Sequence, residues 1–173
     1  MQRIAVIGNA GGGKSALCRK LSQALSIPLF PIDRMQWRPG WVATPYDDIK
    51  AQHDLVLAQE AWILDGWGPW DLIEQRFQVA DTIIFVDHPL LVHYWWSIKR
   101  QLACIFTPRV DGPEGCPMLP VTGRLLKMIW RIHFTLRPRL VALIERQRAD
   151  KQIIHITSPQ DLHRFIARVC PPA

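Results

Sequence analysis

The chain has 173 residues, 49% hydrophobic and 21% charged, with a formal net charge of +6. That length suits one hydrophobic core, so a single domain spanning 1–173 is expected, and the apolar content excludes a disordered, collagen-like or low-complexity chain. No apolar run reaches the roughly 18 residues that cross a bilayer, because the richest stretch, 82–96, is cut by Asp87, His88, Pro89 and His93; no membrane partner is expected.

Short β-branched runs alternate with longer stretches of helical period, the signature of an α/β parallel sheet. The first strand is expected at 3–7. A helix over 14–25 follows, with Leu17, Leu21, Ala24 and Leu25 on one face. A second strand at 28–32 leads to a helix over 45–60, which has Pro45 in its first turn and Asp47 and Asp48 favourable to its dipole. Strands at 61–64 and 82–86 come next, then a helix from Pro89 to about residue 105. The segment 107–120, with four prolines and two glycines, reads as a loop or lid, approximately 106–120. Helix returns over 121–136 and is expected to break at Arg137-Pro138, since proline disfavours helix at the residue before it. A helix at 140–148, a strand at 152–156 and a helix at 159–169 close the chain. There is no internal repeat.

One signal dominates. Gly8-Asn9-Ala10-Gly11-Gly12-Gly13-Lys14-Ser15 is a complete G-x-x-x-x-G-K-[ST], set between an expected strand and an expected helix. Glycines let successive N–H groups turn inward as an anion nest without Cβ clashes, and the helix N-terminus adds partial positive charge. Lys14 then reaches the β- and γ-phosphates and the Ser15 hydroxyl coordinates Mg2+. ATP and Mg2+ are the expected cofactors; a glycine-rich structural turn is the alternative.

Two expected strands end in aspartate, at Asp65 and Asp87, and the carboxyl ends of parallel strands border the ligand crevice. Asp65 is read as a Mg2+ contact or as a turn or cap residue, and Asp87 chiefly as a cap for the helix after Pro89. Neither has a Glu beside it to activate water, which points to an acceptor other than water. Asp33 closes the second strand, where it can orient or deprotonate an acceptor hydroxyl, or else cap a helix or pair with Arg34 or Arg38. Five of the eight tryptophans fall between residues 37 and 70. Trp62 begins a strand and reads as core; Trp37, Trp41 and Trp67 lie beside glycines and are candidates for an acceptor pocket.

Residues 1–95 hold 8 Lys/Arg and 10 Asp/Glu, whereas residues 96–173 hold 13 and 5. Such a basic half implies an anionic partner, whether nucleotide phosphates or nucleic acid, or simply a solvated face. Phosphoryl transfer spreads charge over equatorial oxygens, so Arg100, Arg137 and Arg139 are candidates for phosphate contact, with a surface role as the alternative. Arg124, Lys127 and Arg131 share a helix face and read as solvated. The start of the chain, apolar only over 4–7, does not read as a signal peptide. Cys18, Cys104, Cys116 and Cys170, with no C-x-x-C pair, read as idle thiols in a reducing cytoplasm rather than a zinc site. His88, His93 and His133 sit in apolar stretches and read as packed side chains.

The P-loop, Leu64-Asp65-Gly66 and the Lys99-Arg100 approach to the lid resemble the adenylate-kinase-like nucleoside monophosphate kinases. A closer resemblance is to small P-loop proteins called DNA topology modulation proteins. It is carried by Asp33 with Trp37 and Pro39-Gly40-Trp41, by Asp65-Gly66, by the run from Ala80 through Asp81 to Phe85, by Glu114-Gly115-Cys116-Pro117 and by Arg137-Pro138. The resemblance implies a three-layer α/β/α domain with a five-stranded parallel sheet ordered 2-3-1-4-5, ATP and Mg2+ at Lys14 and Ser15, and a closing lid. Adenylate kinases continue Asp-Gly-Phe-Pro-Arg, where this chain has Asp65-Gly66-Trp67-Gly68-Pro69-Trp70, so Arg34, Arg38 or Arg76 would have to grip an acceptor phosphate. The leading expectation is a cytoplasmic kinase acting on a small acceptor. The rivals are a nucleotide-dependent nucleic-acid binder, disfavoured by the lack of a helix-turn-helix or C2H2 pattern, and a nucleotide sensor.

Overall fold

The computed structural model describes residues 1–104 and 112–169; the end of the expected helix at 105, part of the expected lid, 106–111, and Cys170 lie outside the described residues. The strands are β1 (Arg3–Gly8), β2 (Leu29–Pro31), β3 (Trp37–Arg38), β4 (Val42–Ala43), β5 (Trp62–Asp65), β6 (Thr82–Val86) and β7 (Gln152–Ile156). Five of them form a parallel sheet in the order β2-β5-β1-β6-β7, while β3 and β4 pair as a separate antiparallel hairpin. That hairpin is not expected from the sequence. It displaces the strand numbering, and with it set aside the sheet reads 2-3-1-4-5.

β1 lies between β5 and β6, and Ile4, Ala5, Val6 and Ile7 are all fully buried. A central parallel strand is covered on both faces, which is why it reads as a continuous apolar run. Alternation then assigns the layers. Ala5, Ile7, Leu64, Ile83 and Phe85 meet one set of helices: α3 (Tyr46–Leu57), α4 (Trp70–Val79) and α7 (Arg137–Gln147). Ile4, Val6, Ile63, Ile84 and Val86 meet α1 (Lys14–Leu25) and α8 (Pro159–Val169) through Leu17, Leu21, Leu162 and Phe165. A third cluster, Met118, Leu125 and Ile129 with Leu90, Tyr94 and Trp41 against it, joins α5 (Leu90–Ala103) and α6 (Thr122–Arg131) to the hairpin. Among the described residues no helix is long and apolar enough to cross a membrane.

Three local expectations change. The second strand stops at Pro31, and Asp33 sits in the first turn of a short helix, α2 (Ile32–Gln36). α4 is absent from the expected elements, although two parallel strands such as β5 and β6 need a crossover between them. The expected break at Arg137-Pro138 does not occur. α6 passes through a π turn, Ile132–Leu136, into α7, with Pro138 in the first turn of α7. Proline lacks an N–H and crowds the carbonyl four residues back; the wider π turn before it lets the helix run on.

Candidate active site

The loop between β1 and α1 is braced from behind. Gly11 and Gly13 take left-handed φ values of 68° and 78°. A Cβ on Gly8 would stand 2.0 Å from the Val86 carbonyl oxygen, and one on Gly11 would stand 2.2 Å from Ser97 Oγ and 2.5 Å from the His93 carbonyl oxygen. β6 and α5 therefore leave room only for glycine at these positions. His93 Nδ1 lies 2.9 Å from the Ala10 carbonyl oxygen. Burial, aided by the nearby Lys14 charge, pushes the His93 pKa down to about 4, so the ring is neutral and its Nδ1–H donates to Ala10. Asn9 fastens the other side: its Oδ1 accepts from the Ala10 N–H at 2.8 Å, and its Nδ2 donates to the Ile129 carbonyl of α6 at 2.9 Å.

Lys14 opens α1 and its Nζ donates to the Asn9 carbonyl oxygen at 2.8 Å. Burial pushes its ammonium below the ordinary range; the carboxylates of Asp65 and Asp33 oppose that shift, and Arg100 adds to it. One cation thus feels both acids and an arginine, all facing the same space. Ser15 Oγ donates to Asp65 Oδ2 at 2.8 Å, and Asp65, the last residue of β5, is 5% exposed. A hydroxyl and a carboxylate side by side are the oxygen donors that Mg2+ takes, so this pair fits the metal expected from the sequence. Behind the pair, the buried guanidinium of Arg76 donates from Nη2 to the Gly66 carbonyl at 2.5 Å, and burial lowers its pKa to about 10 against the pull of Asp65. Arg76 therefore supports the turn after β5 and does not enter the cleft as an acceptor-phosphate grip.

A cleft of about 680 Å³ runs over the loop. Ala10, Gly11, Gly12, Gly13, Lys14, Ser15, Asp33, Trp37, Trp41, Asp65, Trp67 and Arg100 all line it, so most of the expected site residues converge. Gly8 and Asn9 stand behind the loop as its supports. Arg137 and Arg139 depart from expectation. Arg137 makes a two-pronged bond to Asp87, Nε to Oδ1 and Nη2 to Oδ2, both 2.7 Å, and Arg139 lies over the Trp70 ring, 4.0 Å from its centroid. A buried carboxylate captures the first and an indole face the second, and neither lines the cleft. Asp87 is consequently an ion-pair residue, also 3.0 Å from His155 Nε2, and not a helix cap.

Arg19, Arg124 and Arg131 also line the cleft, where the sequence places Arg124 and Arg131 on a solvated face with Lys127. The usable signal was the spacing of Arg124, Met128 and Arg131. It sets them on a stripe beside the buried Leu125, Ile129 and Ile132, at the border between core and solvent. Trp96, which would touch a Cβ on Gly13 at 3.1 Å, is another lining residue not expected.

The chain matches no protein-family model and no curated protein. Solved structures do match. A gluconokinase from Sinorhizobium meliloti aligns at a TM-score of 0.57 and 14% identity over 98% of this chain and 89% of that one. Shikimate kinase from Acinetobacter baumannii, in complex with shikimate, aligns at 0.55 and 13% over 98% and 90%, and shikimate kinase from Aquifex aeolicus at 0.52 and 15% over 96% and 92%. The resemblance to DNA topology modulation proteins finds no support in these comparisons. The chain has the α/β fold of P-loop kinases, with its glycine-rich loop 8–15 where the sheet's central strand meets α1.

Proposed function

We propose that this protein is a kinase that binds Mg-ATP on the loop 8–15 and moves the γ-phosphoryl group to a hydroxyl of a small acceptor. The observation that carries this reading is the Lys14 ammonium, poised on one cleft wall within the influence of both Asp65 and Asp33. In the step, the acceptor oxygen bonds to the γ-phosphorus and its proton passes to the Asp33 carboxylate. The bond from that phosphorus to the β–γ bridging oxygen breaks, and ADP leaves with the electron pair. Lys14, the loop N–H groups and Arg100 stabilise the charge on the transferring group; Arg19, Arg124 and Arg131 supply further positive potential along the cleft. Ser15 and Asp65 would hold Mg2+, which neutralises phosphate charge when bound. The gluconokinase and shikimate kinase neighbours support a small-molecule acceptor, and the inward-facing arginines account for part of the basic half without nucleic acid.

Incubation with Mg-ATP and a panel of nucleoside monophosphates, sugar acids and small alcohols tests this. Phosphorylated product is expected by mass spectrometry; ADP release with no acceptor modified overturns it. Lys14→Met should lower kcat/KM by about 100-fold or more, while leaving the melting temperature of the free protein unchanged or raised, because a buried cation has been removed.

A further inference from the structure

Resting on the kinase reading, we infer that the acceptor presents a flat aromatic ring beside its reacting hydroxyl, as a nucleoside or a benzylic alcohol does, and is not a polyhydroxylated aliphatic or alicyclic acid. The wall of the cleft around Asp33 is built of indole. A Cβ on Gly66 would lie 3.8 Å from Asp33 Oδ1, which sets that carboxylate beside the turn carrying Trp67. Trp67 donates its Nε1–H to the Gly8 carbonyl at 2.9 Å, and Trp41 donates its own to the Pro117 carbonyl at 2.8 Å. Both N–H groups are spent on main chain, so these two rings offer the cleft carbon surface. Trp37 meets Trp41 edge to face, 5.7 Å between centroids, and fixes its plane.

Polar partners are few there. From β2 through the hairpin to Gly68, and leaving aside the tryptophans, the described polar side chains lining the cleft are Asp33, Gln36 and Asp65, the last engaged with Ser15. A sugar acid bearing a hydroxyl on nearly every carbon would bury several of them without partners, at a cost for each. An aromatic ring instead lays a face without hydrogen-bonding groups against the indoles, in stacked or edge-on contact, while its reacting hydroxyl meets Asp33. That hydroxyl oxygen forms the new bond to phosphorus, its proton goes to Asp33, and ADP leaves with the broken bond's electrons. A cationic acceptor is disfavoured by Arg19, Arg100, Arg124 and Arg131 in the same cleft.

The full chain is assayed with Mg-ATP against uridine, benzyl alcohol, shikimate and gluconate. The inference expects kcat/KM for an aromatic compound at least about tenfold above that for either gluconate or shikimate; product from uridine alone or benzyl alcohol alone identifies which kind of aromatic alcohol is used. Trp37→Leu should raise KM for the aromatic compound about tenfold with KM for ATP unchanged, and Trp37→Phe should restore most of it. Equal or better turnover of gluconate or shikimate overturns the inference and leaves the kinase reading standing. So does a Trp37→Leu enzyme as effective as Trp37→Phe on aromatic compounds. No product from these four or from the nucleoside monophosphates, with ATP still bound, defeats the kinase reading itself. Thermal shift of the unaltered chain with a non-hydrolysable ATP analogue needs no variant: aromatic compounds should raise the melting temperature, and a rise with gluconate instead overturns the inference.

Discussion

The two ends of the cleft are made of different material. The end that the proposed function gives to phosphate is main chain: Gly8, Gly11 and Gly12 pressed against β6 and α5, with the Lys14 ammonium beside them. The acceptor end is side chain: Asp33 and three tryptophans on a five-residue helix, a hairpin of two-residue strands and a turn after β5. A main-chain nest needs a fixed string of residue types, because glycine alone tolerates both the φ values and the crowding. A wall of indoles can be assembled from any elements that happen to meet. The first end should therefore be brittle to a single methyl group, and the second should respond in proportion to the surface removed.

The largest effect tests the brittleness directly. Gly8→Ala puts a methyl 2.0 Å from a main-chain oxygen of β6, which cannot swing aside as a side chain would. Chemical denaturation should show a loss of about 3 kcal/mol or more, and the ATP-induced rise in melting temperature should vanish. A variant that keeps both would break the contrast between the two ends.

Legibility in the sequence divides along the same line. The loop, the central strand and Lys14 with Ser15 can be read directly, because the residue types are the mechanism. α4 is harder to read, because Gly66, Gly68 and Pro69 break the pattern just before it and only Leu72, Ile73 and Phe77 mark its apolar buried face. The hairpin is too short to leave a pattern. The charge of Arg137 and Arg139 is legible but its destination is not, because where a guanidinium docks depends on which carboxylate or ring the fold brings to it.

Acid provides the next test, and it separates the loop's support from the rest of the core. Burial lowers the pKa of both His53 and His93 from 6.5 to about 4, with Arg76 contributing at His53 and Lys14 at His93. Between those two values the unfolded chain binds protons that the folded chain does not. Stability is then complete above pH 6.5 and falls as pH drops toward 4. Each histidine should withdraw about 2 kcal/mol between pH 7 and pH 5. His93→Gln should remove its share of that slope and weaken ATP binding, because the bond to Ala10 holds the loop. His53→Gln, on α3, should remove its share with ATP affinity unchanged. Denaturation curves at pH 5, 6 and 7, paired with nucleotide titrations, read both.

The smallest effects belong to the two arginines that the fold withdraws from the cleft. Asp87 is 8% exposed on its side chain. Burial works to raise its pKa, but the hydrogen bonds from Arg137 and His155 outweigh that and hold it below the usual carboxylate range. Arg137→Ala strips two of those bonds from a nearly buried anion and should cost about 1–2 kcal/mol in denaturation. Arg139→Ala loses one exposed cation–π contact with Trp70, about 0.5 kcal/mol. Neither should change KM for ATP by more than about twofold, since neither lines the cleft and each is engaged elsewhere, Arg137 with Asp87 and Arg139 with Trp70. A tenfold rise in KM from Arg137→Ala, with stability little changed, would mean that Asp87 releases this arginine to the nucleotide during turnover. The phosphate end would then share the side-chain character of the acceptor end, and its brittleness would no longer rest on glycine alone.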